Sequence, residues 1–299
     1  MMNWHRPAGS ISDEQYDVVV RPGSDAWRHT GLLVATLDAG ESRTLETGDD
    51  EYIVVPLSGL GVDVSCDPDQ VRLMGRADVF QGPSDVAYVP RGRTLTVTAS
   101  EPSRVALCFA PASSDQPFAV IDKDAVPVEL RGAGNCSRQV HNFGTPAALQ
   151  ADSIICCEVL TPSGNWSSYP PHKHDEERPG VETELEEIYY FESRIATGGP
   201  AEAEPHGYQA VHGTADRPIE VNARVVSGDV VLVPHGWHGP SMAPPGYDLY
   251  YLNVMAGPGD ERAWRICDDP AHTWVRDTWT DHPMDPRLPF TGPTHEETP

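Results

Sequence analysis

The sequence predicts an all-β protein built from two small β-barrels, and three observations carry that expectation. Twenty-nine prolines and 26 glycines are spread over 299 residues, so turns come often and the runs between them are short, β-branched and aromatic. That texture favours sandwiches or barrels over helical or doubly wound chains. One strand plan then occurs twice, which points to duplicated barrels. Finally, no Gly-x-Gly-x-x-Gly strand–helix unit appears. A chain of this length can bury one large or two medium cores without disulfides or metal.

In chain order, Glu51-Tyr52-Ile53-Val54-Val55-Pro56-Leu57-Ser58-Gly59 reads as a strand ending in a turn, followed by Asp85-Val86-Ala87-Tyr88-Val89-Pro90-Arg91-Gly92, a strand ending in Pro-x-Gly. The second half repeats this with Glu187-Ile188-Tyr189-Tyr190-Phe191-Glu192 and Val230-Val231-Leu232-Val233-Pro234-His235-Gly236. We divide the chain into a first barrel over 1–120 and a second barrel with its tail over 121–299. Between them, about 112–150, lies Arg131-Gly132-Ala133-Gly134-Asn135, which reads as an anion cradle or, more ordinarily, a surface turn; no Gly-Lys-Ser/Thr follows, so it is no P-loop. The acidic stretch from Asp175 to Glu186 reads as a mobile lid or a solvated rim. After a last core strand, Asp248 to Met255, a Trp- and Pro-rich tail begins near Gly257. Its Trp264, Trp274 and Trp279 are expected to pack onto the barrels, with homo-oligomer contacts as the alternative.

Six scattered cysteines without a C-x-x-C pair suit reduced cytosolic thiols; of the adjacent Cys156 and Cys157, one is expected inside a strand's core face and one outside. The N-terminal Met1-Met2-Asn3-Trp4-His5 has no apolar signal core, and no run of about 20 apolar residues occurs, so the expected location is the cytoplasm. A formal charge of −24 repels phosphate backbones and anionic membranes, which argues against nucleic-acid and membrane partners. An anionic substrate would need local arginines to reverse the field.

The chemistry concentrates in Pro170-Pro171-His172-Lys173-His174. On a strand, His172 and His174 leave one face while Lys173 leaves the other. Glu187 opens the next aromatic strand, and His238 stands just beyond the turn that ends Val230–Val233. A single histidine in a strand is usually only a hydrogen-bonded polar residue. The combination, however, reads as three imidazoles and one carboxylate around one divalent transition metal, Zn, Mn, Fe, Ni or Co, because Mg and Ca prefer all-oxygen shells. The first half has no H-x-H pair and no histidine after Pro90, so its barrel is expected to be metal-free and structural. His235 competes with His238 as a ligand, or contacts substrate from the turn. Glu186, Glu184, Glu177 and Asp175 are the alternatives to Glu187. Tyr189 shares the inward face with Glu187 and is a candidate acid or orienting group, or simply an aromatic of the barrel core. For a substrate carboxylate, Arg131, Arg138 and Arg178 are candidates, since a guanidinium fork matches its geometry.

The strings Gly164-Asn165-Trp166-Ser167-Ser168-Tyr169-Pro170-Pro171-His172-Lys173-His174-Asp175, Leu185-Glu186-Glu187-Ile188-Tyr189-Tyr190-Phe191 and Pro234-His235-Gly236-Trp237-His238-Gly239-Pro240 resemble the bicupin sugar-acid isomerases, the 5-deoxy-glucuronate isomerase family of myo-inositol catabolism. The resemblance extends through Arg131 to Asn135 and Tyr250 to Gly257, nearly the whole chain. One departure is the spacing of the glutamate, which in cupins at large follows the H-x-H pair closely and here has twelve residues between it and His174. The resemblance implies two jelly-roll barrels and conversion of 5-deoxy-D-glucuronate to 5-dehydro-2-deoxy-D-gluconate, an aldose–ketose isomerisation that needs no nicotinamide or flavin. It adds Tyr251 to the candidate substrate contacts. Competing readings of the same ligand set are a cupin dioxygenase using Fe or Ni and a non-catalytic sugar-binding bicupin.

Overall fold

The computed structural model describes residues 3–24, 26–196 and 198–290, and these fold into antiparallel sheets joined by turns and three short 3-10 segments. Met1, Met2 and the last nine residues of the tail lie outside the described residues. A nine-stranded sheet collects the strands from Val18 to Ile121. A seven-stranded sheet runs, in spatial order, His5–Arg6, Val230–Val233, Glu186–Ile195, Tyr247–Ala256, Ile155–Thr161, Arg138–Gly144 and Val128–Arg131. A third, six-stranded sheet carries Glu220–Val225, Gly207–His212, Trp237–Met242, His172–Lys173 and Cys267–Asp268, with Trp166–Ser167 beside Trp237–Met242.

The repeated strand plan is a repeated pairing. Ile53 faces Tyr88 and Val54 faces Ala87 in the first half; Ile188 faces Leu232 and Tyr189 faces Val231 in the second. In each half the first strand of that pair also takes a late strand on its other side, Ser103–Pro111 or Tyr247–Ala256.

Side-chain alternation divides the apolar residues into three cores. Tyr52, Val54, Leu33 and Leu107 fill the first barrel, and Tyr189, Phe191, Tyr251 and Val211 fill the second. The alternate residues of the same strands, Ile53, Val55, Leu32, Ile188, Tyr190, Leu252 and Val254, meet in a shared core between the halves. Period two therefore explains why runs such as Tyr52-Ile53-Val54-Val55 and Ile188-Tyr189-Tyr190-Phe191 are apolar at every position: both faces of the strand are covered. The same geometry corrects the expectation for the cysteine pair. Cys156 enters the shared core and Cys157 the second barrel, and both are fully buried.

Polar groups also cross this interface. Arg76 of the first half donates two 2.7 Å bonds to Glu158, which also meets His141 Nδ1 at 2.6 Å and accepts from Tyr250 at 2.8 Å. Burial works to raise the Glu158 pKa, but the Arg76 charge and hydrogen bonds outweigh it and hold the carboxyl at about 2.

The acidic segment fits the solvated-rim reading: residues 176–181 are exposed, while its ends are tied down, with Lys173 Nζ reaching Asp175 at 2.6 Å and Glu182 at 2.8 Å, Arg178 pairing with Glu182, and Arg217 and the Gly236 amide both reaching Asp175. In the tail, Trp264 and Trp279 pack under arginines, but Trp274 is 61% exposed on the Thr273–Asp281 segment. No helix among the described residues is long and apolar enough to cross a membrane.

Candidate metal centre and substrate cavity

His174, Glu187 and His238 bring one ligand atom each within 4.8 Å of one another, and all three are buried. Glu187 sits on Glu186–Ile195, pointing into the second barrel, with its Oε2 3.1 Å from both His174 Nε2 and His238 Nε2. His172 is in register with His238 on the facing strand; its ring centre lies 4.5 Å from that of His238 and 6.4 Å from that of His174. It therefore adjoins the group from slightly further out.

The three histidines share one arrangement. His172 Nδ1 faces Pro170 O at 3.4 Å, His174 Nδ1 faces Leu185 O at 3.2 Å, and His238 Nδ1 faces Gly236 O at 3.1 Å. A carbonyl accepts only from a protonated nitrogen, so these contacts favour a proton on Nδ1; at His172 and His238 that leaves Nε2 as the lone-pair atom, which is how ligating histidines are oriented, while His174 Nε2 donates to Glu187 at 3.1 Å. Although His238 Nε2 is close to Glu187, the angle makes no hydrogen bond, and the atom is buried without a partner. Buried polar atoms are rarely left so. Burial, reinforced by the His238 charge, pushes His172 well below the usual histidine range and keeps it neutral. Burial would also lower His174, but the hydrogen bond and charge of Glu187 raise it. Glu187, against its burial, is held at about 2 by His238 and His174. Three imidazoles that each turn Nδ1 toward a backbone carbonyl, with an ionised carboxylate among them, are the donor set a transition ion needs, so the residues present fit a divalent metal.

The neighbouring carboxylates do not compete. Glu186 points out of the barrel and accepts from the Arg28 and His29 amides at 2.8 Å, Asp175 is bound to Lys173 and Gly236, and Glu177 contacts the Glu184 amide.

Beside the group lies a cavity of about 20 Å³, room for a water or an ion, whose lining includes His172, Glu187, Ser168, Tyr189, Tyr251 and Arg138. The glycine-rich turn is what brings the arginines there. Gly132 has φ +82° and a Cβ there would stand 2.1 Å from Cys136 O, so only glycine closes this hairpin, which sets Arg131 opposite Arg138. It is no anion cradle: the Gly134 amide is taken by Pro283 O of the tail. Arg131 is gripped by both oxygens of Glu129 at 2.9 and 2.7 Å and lies over Trp264. Arg138 is buried, stacks on Trp279, and makes one hydrogen bond, to Cys136 O at 2.9 Å. Burial first, then the Arg131 charge, lowers its pKa to about 10. Arg178 is not brought to the cavity; its guanidinium serves Glu182 outside. His235 is likewise outside, lining a separate surface cleft with Arg217 and Glu186.

Ser168 carries no signal in the sequence that would single it out, yet it lies at the centre of the lining. Its Oγ is 3.2 Å from Tyr189 OH and 3.1 Å from Tyr251 OH, and its backbone has φ +47°. A Cβ on Gly239 would stand 1.8 Å from the Ser168 carbonyl, so the strand bearing His238 lies directly against this backbone. Burial raises both phenols above their ordinary range, and they are neutral near pH 7.

Fold and site together define a bicupin whose second barrel holds a histidine–glutamate group suited to a metal ion. A solved IolB-like protein from Salmonella typhimurium LT2 superposes with a TM-score of 0.82 at 35% identity, covering 92% of this chain and 99% of that one. The chain belongs to the KduI/IolB family, whose model matches residues 4–275. It is 43% identical over 276 residues to a Geobacillus kaustophilus protein named 5-deoxy-glucuronate isomerase, covering 91% of this chain and 95% of that one. A Bacillus subtilis protein of the same name is 38% identical, covering 81% and 86%. Lactobacillus farciminis oxalate decarboxylase shares the fold at a TM-score of 0.60 and 11% identity, covering 90% and 89%.

Proposed function

We propose that the protein is a 5-deoxy-glucuronate isomerase, a cytoplasmic enzyme that turns the aldose 5-deoxy-D-glucuronate into the ketose 5-dehydro-2-deoxy-D-gluconate. One observation carries the reading: a single cavity is lined both by Glu187 of the histidine–glutamate group, with His172 beside it, and by Arg138, a buried guanidinium whose one hydrogen bond among the described residues is to a backbone carbonyl. A linear sugar acid with an α-hydroxy aldehyde at one end and a carboxylate at the other is complementary to both.

In this reading His172, His174, Glu187 and His238 hold one divalent transition ion, Zn, Mn, Fe, Ni or Co, and residues 1–120 form a metal-free structural barrel. Bound there, the ion would polarise a carbonyl and an adjacent hydroxyl oxygen, which acidifies the hydrogen on the hydroxyl-bearing carbon. Arg138 binds the carboxylate, and Arg131 opposite it adds positive potential in a chain of net charge −24. Tyr189 and Tyr251 present neutral phenols that hydrogen-bond the reacting oxygens.

The test is turnover of 5-deoxy-D-glucuronate by metal-analysed protein in D2O, followed by NMR. The expected result is the ketose, with deuterium at the former aldehyde carbon, no oxygen consumed, and loss of turnover after chelation. Metal-loaded protein that leaves the aldose unchanged would refute the reading.

A further inference from the structure

We propose that Ser168 links Tyr189 and Tyr251 into a proton relay that carries the hydroxyl proton of the substrate from one reacting oxygen to the other; this rests on the isomerase reading above. Aldose–ketose isomerisation moves two protons. One passes from C2 to C1, and the other leaves the C2 hydroxyl and arrives on the C1 oxygen. The second transfer spans two oxygens of one molecule, and the cavity beside them is lined by protein hydroxyls.

Three hydroxyls bridge that gap. A serine hydroxyl has one hydrogen to donate and lone pairs to accept with. In contact with two phenols at 3.2 and 3.1 Å, Ser168 Oγ can therefore donate to one while accepting from the other. The phenol near the C2 oxygen takes its proton and passes its own to Ser168. Ser168 passes its hydrogen to the second phenol, which protonates the C1 oxygen. Four O–H bonds break and four form, every relay member ends neutral as it began, and no phenolate is required. The relay is left with its direction reversed, ready for the reverse reaction or for resetting through solvent between turnovers.

The surroundings show that this hydroxyl is held for the cavity. Its neighbour Ser167 is spent on structure, accepting from Thr161 Oγ1 at 2.8 Å and donating to Ser241 O at 3.2 Å. Ser168 instead lines the cavity with His172 and Glu187, in a left-handed backbone conformation that a non-glycine residue seldom adopts. A glycine would suit that φ better, so the side chain is retained against a local preference.

The experiment uses the full-length metal-loaded enzyme, 5-deoxy-D-glucuronate, and the variants Ser168→Ala and Ser168→Gly, the latter compatible with φ +47°. Removing the hydroxyl should lower kcat about 100-fold, a normal loss for a proton-transfer group, with KM and bound metal unchanged. In H2O/D2O mixtures the wild-type rate should curve with deuterium fraction, as several hydrogens in flight require, and the variants should give straight lines. Adding Tyr189→Phe to Ser168→Ala should cost less than Tyr189→Phe costs alone, because members of one relay are not additive. A linear wild-type plot, or both variants within about threefold of wild-type kcat, would overturn the relay and leave the isomerase reading intact. No conversion by wild-type protein would overturn that reading and the relay with it.

Discussion

Replacing Arg138 with methionine should stabilise the protein while damaging the site. The guanidinium is buried, and its pKa falls from the ordinary arginine range to about 10. A cation whose folded pKa lies below its unfolded value opposes folding at every pH below about 10, and a depression of this size corresponds to roughly 3 kcal/mol. Against that stand the hydrogen bond to Cys136 O and the stacking on Trp279, together worth about 1–2 kcal/mol. Methionine fills a similar volume without charge, so the net expectation is a gain of about 1–2 kcal/mol. Urea unfolding at pH 7 without substrate should show a higher midpoint at unchanged slope. The same variant should bind the sugar acid more weakly by about 2–3 kcal/mol, raising KM about 30- to 150-fold. A methionine variant less stable than wild type, or one whose KM stays within about threefold, would show that Arg138 is a structural cation.

His238→Ala and Glu187→Gln should each cut bound divalent metal to about a tenth or less of wild type by elemental analysis, since each removes a donor from a compact set; near-stoichiometric metal in both would exclude this group as the site. Arg76→Met should destabilise by about 3–5 kcal/mol in chemical unfolding, because it strands the buried Glu158 carboxylate; a loss under about 1 kcal/mol would mean that His141 and Tyr250 suffice. Glu158 also fixes a pH dependence: its carboxyl, near 4.5 unfolded and about 2 folded, contributes roughly 3 kcal/mol that is present above pH 4.5 and lost as pH falls toward 2. A Glu158→Gln variant should lose that acid slope, and an unchanged slope would assign it elsewhere. Gly132→Ala should cost about 1–3 kcal/mol and raise KM together, because the turn that sets Arg131 against Arg138 cannot close; unchanged KM would separate the turn from the site.

The elements legible in the sequence were those governed by period two. Glu51–Gly59 and Glu187–Glu192 announced themselves as strands, and the alternation that puts Glu187, Tyr189 and Phe191 on one face follows from backbone geometry alone. The cysteine pair misled because alternation says which residues share a face but not whether the opposite face is covered; the sheet packed behind Ile155–Thr161 is a tertiary fact. Arg178 misled for a similar reason. In a segment so acidic its partner was close at hand, and Glu182, four residues on, took it. Nothing in the sequence separated Arg138 from Arg131, since the difference is Glu129 reaching the one and not the other. Ser168 escaped notice because a left-handed serine has no local signature.

The shared core between the halves gives the strand that carries Glu187 two masters. Glu186–Ile195 presents Glu187 and Tyr189 to the cavity and Ile188 and Tyr190 to the first half, so each residue that tunes chemistry is flanked by residues committed to the interface. A substitution at Ile188 or Tyr190 would shift the backbone between Glu187 and Tyr189 before it touched either side chain. The duplicate without the ligand set is therefore no vestige. It is the anvil against which the working strand is held, and drift in its inner surface would be felt as drift in catalysis.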